Sequence, residues 1–323
     1  MAVASKLETR GALIMARLLI TGASGFIGSH LASSLSLAGH NVTASARCPS
    51  SDLQAALPNC QMLKLDVMQD LSGVQGEWDC ILHTATANDI VSRDFAAGME
   101  LSTQGTQNVL EAARRLGVPH VLFFSTLQVY GAELNGTVTE QTPVHLVNQY
   151  GLNHYAGELT CQLFSRLHGV KTSIVRPANV YGCPISPTVN RWSLVPMCFV
   201  KEALATGTIT LRSSGLQRRD FVSLRQVAGA CAQLIEQPPE LTSVHNISSS
   251  ETWNMLDAAR WVADIYATTR GTKLDLKVLS TEPSEPNDFR VDSAITPQPL
   301  GGSSAAEMSM EITKMFEFFG NVR

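Results

Sequence analysis

Between Arg17 and Pro177, short apolar runs alternate with longer stretches whose apolar residues recur at helical spacing. Arg17–Ile20, Asn41–Ala46, Gln61–Leu65, Cys80–Thr84, Val121–Ser125 and Lys171–Arg176 read as strands. Val121–Ser125 is a continuous apolar run, as a strand covered on both faces requires. Helices are expected from Phe26 to Ala38, from Ser102 to Leu116 and from Tyr150 to His168. In the second, Val109, Leu110, Ala113 and Leu116 share a face, and Gly117 with Pro119 beyond it forms a stop signal. Strand–helix alternation of this kind predicts a parallel sheet with crossover helices, a Rossmann-type doubly wound α/β fold.

After Pro177 the alternation decays. Prolines at 184, 187 and 196 mark a long irregular connection before a helix at Leu194–Ala205. Thr208–Leu211, Asp220–Leu224 and Val244–Ser248 read as short strands. Gln226–Ile235, Thr252–Ala267 and Ala305–Phe319 read as helices, and Ser280–Gly302, rich in Pro, Ser and Gly, as a loop. The expected organisation is a disordered arm over residues 1–14 and a dinucleotide-binding domain over 15–176. Residues 177–323 then form mainly a smaller substrate-binding lobe, with some segments returning to the first domain.

A hydrophobic content of 44% and only 16% charged residues exclude a disordered chain. The net charge of −4 gives no basic footprint for nucleic acid, so anionic ligands must be met by local groups. The cysteines at 48, 60, 80, 161, 183, 198 and 231 are odd in number and contain no C-x-x-C pair. They fit neither a disulfide framework nor a zinc site and read as reduced thiols in the cytoplasm. The histidines at 30, 40, 83, 120, 145, 168 and 245 show no metal-ligand spacing, so no metal is expected. No apolar run is long enough to span a bilayer. Glu8 and Arg10 stand where a signal peptide would need its apolar region.

Between the first strand and helix, Gly22, Gly25 and Gly28 stand three residues apart. Gly22 permits the tight turn, Gly25 lets the backbone approach a pyrophosphate, and Gly28 lets the helix pack close to the sheet. An NAD-specific site would place an acid at the end of the second strand to bind the ribose 2′-OH. Here the segment reads Thr43-Ala44-Ser45-Ala46-Arg47. Arg47 and Ser45 suit a 2′-phosphate, which favours NADP over NAD.

Thr21-Gly22-Ala23-Ser24-Gly25-Phe26-Ile27-Gly28 resembles the fingerprint of the extended short-chain dehydrogenase/reductase family. This is the NAD-dependent epimerase/dehydratase group that acts on nucleotide sugars. The resemblance continues from about Arg17 to Asp292. It implies cofactor contacts along Gly22, Ser24, Gly25, Phe26, Ile27 and Gly28. Leu65-Asp66-Val67 resembles the family's L-D-V element, which implies Asp66 and Val67 at the adenine end. His83-Thr84-Ala85 resembles the turn beside the cofactor, where Thr84 and Ala85 would touch it. Phe124-Ser125-Thr126-Leu127-Gln128-Val129-Tyr130-Gly131 resembles S-[ST]-x-x-V-Y-G and implies a catalytic hydroxyl at Thr126. Tyr150, with Glu158 eight residues on, resembles the catalytic tyrosine helix. Arg176-Pro177-Ala178-Asn179-Val180-Tyr181-Gly182 resembles R-P-x-N-V-Y-G, implying Pro177 at the cofactor and Asn179 at the substrate phosphates. Gly215-Leu216-Gln217-Arg218-Arg219-Asp220-Phe221-Val222 resembles G-x-x-x-R-D-F-V, implying that Arg219 grips the nucleotide pyrophosphate.

A hydride moves between nicotinamide and a sugar carbon while a proton moves on the attached oxygen. A phenol of pKa near 10 is slow at proton transfer near neutrality unless a cation lowers that value. The family supplies a lysine four residues after the tyrosine; here that position is His154. Either its surroundings keep His154 charged, or activation is weaker, or catalysis is lost; the plainer alternative is a helix-surface histidine. Ser102 stands where the family commonly has Asn. Leu127 and Gln128 replace the acid that dehydrating and decarboxylating members carry, so those activities are disfavoured. The expectation is an NADP-linked keto-sugar reductase working through Thr126, Tyr150 and His154. A nucleotide-sugar 4-epimerase with tightly held NAD and a catalytically silent nucleotide-binding protein are the alternatives. The resemblance also implies a homodimer, formed by the helices Ser102–Leu116 and Tyr150–His168.

Overall fold

The computed structural model describes residues 15–320 apart from 133, 190, 192 and 281–286, so the expected N-terminal arm lies outside the described residues. The strands run β1 (Arg17–Thr21), β2 (Asn41–Ala46), β3 (Gln61–Lys64), β4 (Cys80–His83), β5 (His120–Phe124), β6 (Gly136–Val138) and β7 (Lys171–Pro177). They continue through β8 (Asn179–Tyr181), β9 (Thr208–Leu211), β10 (Arg218–Ser223), β11 (Thr242–Ile247), β12 (Thr252–Asn254), β13 (Asp275–Val278) and β14 (Phe289–Val291). The helices are α1 (Phe26–Leu37), α2 (Ser51–Ala56), α3 (Phe95–Glu100), α4 (Thr106–Leu116) and α5 (Gln149–His168). They are followed by α6 (Met197–Thr206), α7 (Leu224–Glu236), α8 (Met255–Arg270) and α9 (Ser304–Gly320).

Strand periodicity of two divides the apolar residues between two cores. Leu18, Ile20, Cys80, Leu82, Leu122 and Phe124 point to the face covered by α1 and α7. Their neighbours Leu19, Ile81, Val121 and Phe123 point to the face covered by α4 and α5, against Val109, Leu110, Cys161 and Phe164. At Gly157 a side chain would run into the Phe123 ring, so this glycine sets how closely α5 lies on β5. The resulting sheet is parallel throughout, with strand order β11-β7-β5-β4-β1-β2-β3. The chain winds outward from β1 to β3, then restarts on the other side of β1 with β4. The strand order therefore reverses there, and a crevice opens at the carboxyl ends of the strands.

Beyond β7, β8 and β12 flank β10 in a small sheet, and β9 pairs with β13. The helices α6, α8 and α9 pack together beside them. β11 rejoins the main sheet beside β7, and α7 lies against α1. No helix among the described residues is long and apolar enough to cross a membrane.

Four sequence expectations change. The helix expected at Ser102–Leu116 is preceded by α3, which Asp94 caps by accepting the Ala97 N–H, and a π-helical turn at Leu101–Gly105 joins it to α4. Pro196 is the N-cap of α6, so that helix starts three residues later than its apolar pattern suggests. Thr252–Asn254 pairs with β10 as a strand, and Asn254 caps α8 by accepting the Asp257 N–H at 2.7 Å. The Pro/Ser/Gly-rich loop contains β14, which pairs in parallel with β6.

Candidate active site

The crevice is a cavity of about 850 Å³, and every residue named above for catalysis, cofactor or substrate lines it except Ser45. At one end Gly22 holds a left-handed backbone, φ +74°, and a Cβ there would sit 2.8 Å from the Ala85 nitrogen. A Cβ on Gly28 would run into the Gly22 carbonyl and the Thr84 hydroxyl. The Gly25 N–H donates to the Gly22 carbonyl at 2.9 Å. No side chain caps α1, so the first-turn N–H groups of Phe26, Ile27 and Gly28 are left for an anion. Ser24 is exposed at the mouth.

The turn opposite is tied down by polar contacts. The Thr84 hydroxyl donates to the Thr21 carbonyl at 2.6 Å. The buried His83 ring bridges the Thr21 hydroxyl at 2.8 Å and the Thr106 hydroxyl at 3.3 Å. Burial holds His83 neutral, its pKa near 3. Asp66 accepts the Met68 N–H with one oxygen, beside Val67. Arg47 is exposed at the end of β2. The pairing of Arg47 with Ser45 needs correction, because Ser45 is fully buried and its hydroxyl donates to the Ile20 carbonyl. Ser45 does not reach the cavity.

Thr126 opens a 3-10 turn and accepts the Gln128 N–H at 3.2 Å. Asn148 caps α5 by accepting the Gly151 N–H at 2.8 Å, which places Tyr150 in the first turn facing the cavity. The Tyr150 and His154 rings meet edge to face, 4.5 Å between centroids. His154 is 3% exposed, so the surface alternative falls. Its Nδ1 lies 3.2 Å from the Phe124 carbonyl and must donate to it. Its Nε2 is buried without a partner among the described residues. Burial pulls the His154 pKa down to about 4, although the carbonyls of Phe124 and Ala87 favour the charged form. His154 is therefore neutral at pH 7 and supplies no charge to Tyr150. Burial raises the Tyr150 pKa; Arg191 and the Thr126 hydroxyl lower it, and Asp89 raises it further.

At the far end, the Asn179 amide donates to the Asp220 carbonyl at 2.8 Å, and Gln128 faces the cavity beside Asn148. Arg219 is half-buried, donates to the Arg218 carbonyl at 2.9 Å and has no ion pair among the described residues. Burial lowers its pKa. Beneath the floor lies a buried network. Arg176 donates to both oxygens of Glu158 and to the Tyr130 hydroxyl, and Ser125 donates to Glu158. This ties β5, α5 and β7 together immediately behind Thr126. Two cavity features escaped the sequence reading: this network, although each member stands in or near a recognised motif, and Arg191, which stands in none.

Residues 18–248 match the model of the NAD dependent epimerase/dehydratase family. The chain belongs to this family. It is accordingly an enzyme of an NAD-dependent family. Among its relatives is a dTDP-4-dehydro-6-deoxy-D-allose reductase of a Streptomyces species, 28% identical over 304 residues, 87% of this chain and 92% of the relative. A UDP-glucose 4-epimerase of Mycolicibacterium smegmatis is 30% identical over 225 residues, 66% of this chain and 71% of the relative. Among solved structures, UDP-glucuronic acid 4-epimerase from Bacillus cereus in complex with NAD superimposes with a TM-score of 0.78 at 22% identity. That match covers 95% of this chain and 97% of the other, and it is a likeness of fold. The residues here fit the family's dinucleotide: the glycine cradle admits no Cβ, the α1 N-terminus is uncapped, and His154 Nε2 lacks a hydrogen-bond donor.

Proposed function

We propose that this family member reduces a keto group on a nucleotide-activated sugar, with NADPH as the preferred cofactor. The observation that carries the reading is the end of β2, where exposed Arg47 lines the cavity and no acid stands to bind a ribose 2′-OH. NADPH, when bound, supplies the hydride. Gly22, Ser24, Gly25, Phe26, Ile27 and Gly28 hold the pyrophosphate, with Asp66 and Val67 at the adenine and Thr84, Ala85 and Pro177 along the dinucleotide. His154 accepts a ribose hydroxyl through Nε2. Tyr150 gives its proton to the sugar carbonyl oxygen, which Thr126 orients. Asn179 and Arg219, from the part of the chain after Pro177, hold the nucleotide phosphates; the guanidinium of Arg219, which has no ion pair among the described residues, supports this. Residues 15–176 thus serve mainly the cofactor and the rest mainly the sugar nucleotide. Gln128 offers no general acid for eliminating water. The Streptomyces reductase supports the assignment as a relative acting on a 4-keto-6-deoxy sugar nucleotide. Free thiols throughout the described chain suit a cytoplasmic enzyme. A 4-epimerase that retains NAD is the second reading, supported by the mycobacterial relative. A silent nucleotide-binding member is the third, supported by the neutral His154.

The test is NADPH consumption with nucleoside-diphosphate 4-keto-6-deoxy sugars, together with cofactor titrations of Arg47→Asp. A guanidinium on a 2′-phosphate is worth about 1.5–3 kcal/mol, so Arg47→Asp should weaken NADPH at least roughly tenfold and spare NADH. Wild-type protein that binds NADH more tightly than NADPH contradicts the cofactor assignment. NAD that stays bound through purification favours the epimerase, and no turnover of any keto sugar favours the silent reading.

A further inference from the structure

One turn on from Tyr150 along α5, where a cation would act on the phenol, stands His154, buried and neutral. Three arginines line the cavity: Arg47 at the end of β2, Arg219 on β10, and Arg191 on the connection between β8 and α6, whose charge is the one that acts on Tyr150. This last guanidinium is held from behind. Arg191 pairs with Asp89 at 2.5 Å, and the Ser193 hydroxyl donates to the other Asp89 oxygen at 3.4 Å. The pair is asymmetric. The Arg191 side chain is 20% exposed and lines the cavity, whereas Asp89 is 41% exposed and does not. Its positive end therefore faces the reacting groups and its negative end faces outward.

We propose that Arg191, clasped by Asp89, is the positioning residue that presents a positive charge to Tyr150 from the opposite loop, in the place of the missing helix lysine. The proposal rests on the reading of Tyr150 as the proton donor. The charged and titratable groups that act on Tyr150 are Arg191 and Asp89 from the two loops, with Thr126 from the turn and His154 from its own helix. Only Arg191 among them brings a positive charge. A guanidinium stays protonated across the working pH range, so the effect does not fade on the alkaline side as that of a histidine would.

The experiment is a tyrosinate absorbance titration of the full chain, read as the difference from Tyr150→Phe, without sugar substrate. In Arg191→Gln the Tyr150 midpoint should rise by about one pH unit, and Arg191→Lys should restore most of it. In Asp89→Asn the midpoint should fall, because an anion leaves while the cation stays. A clasp that merely held the loop would be broken by Arg191→Gln and Asp89→Asn alike and would move the midpoint the same way in both. Shifts of the same sign, or an unmoved midpoint in Arg191→Gln, overturn the proposal. Turnover by Tyr150→Phe at the wild-type rate would instead remove the proton-donor reading, an outcome the titration does not depend on.

Discussion

The two nitrogens of His154 differ: Nδ1 is spent on the Phe124 carbonyl, and Nε2 has no hydrogen-bond partner among the described residues. A buried imidazole with a pKa of about 4, against 6.5 in the unfolded chain, makes folding resist protonation. The unfolded state binds the extra proton between those values, so the stability tied to this group is complete above pH 6.5 and declines as pH falls toward 4. Buried His83 and His120 act in the same direction, so the contribution of His154 must be read against a variant. The unfolding free energy of wild type minus that of His154→Gln should shrink by about 2 kcal/mol between pH 6.5 and pH 5, measured by urea denaturation. A difference constant with pH would mean that His154 is not held neutral by its surroundings. That position 154 departs from the lysine pattern was visible in the sequence. Its depth was not, because helical spacing names a face and says nothing of what the helix end packs against.

Among the elements, the inner strands of the main sheet were legible to within a residue, since strands buried on both faces leave apolar signatures, while the edge strand β11 begins two residues earlier than its pattern suggests. β8, β12 and β14 are three residues each and too short to show a period. Arg191 and Asp89 come from two irregular loops 102 residues apart, and neither lies in a recognised motif. The β1–α1 turn was legible because its glycines answer a steric demand, and that demand can be tested against a matched control. Gly22→Ala places a side chain at φ +74°, 2.8 Å from the Ala85 nitrogen. It should weaken NADPH binding more than tenfold in a fluorescence titration, by pushing apart the turn and Thr84–Ala85. Gly117→Ala, at φ +69° beyond α4 with nothing within 4 Å, should cost about 1–2 kcal/mol of stability and leave binding intact. Equal losses of binding in both variants would show that the close approach at Gly22 is not what matters.

For the molecule as a whole, α5 carries Tyr150 and His154, proposed to act on substrate and cofactor, in its first two turns and an outward apolar stripe further along. Leu159, Leu163 and Leu167 are 47%, 58% and 66% exposed at four-residue spacing. Such a stripe supports the expected homodimer, in which α4 and α5 meet their symmetry mates across an isologous interface. Light scattering at micromolar concentration should give a dimer for wild type and a monomer for Leu163→Glu with unchanged far-UV circular dichroism. A monomeric wild type removes the dimer from the proposal. Completion of the sheet has a bearing on how the chain is made. β7 becomes an interior strand only when β11 arrives, after α6, β10 and α7 have been translated. At bacterial or eukaryotic elongation speeds, the free edge of Lys171–Pro177 therefore stays open for on the order of seconds on each ribosome. Unpaired N–H and C=O groups on an apolar strand are a template for another chain. The nascent polypeptide, more than the finished enzyme, is where this fold is vulnerable to aggregation and where a chaperone has most to protect.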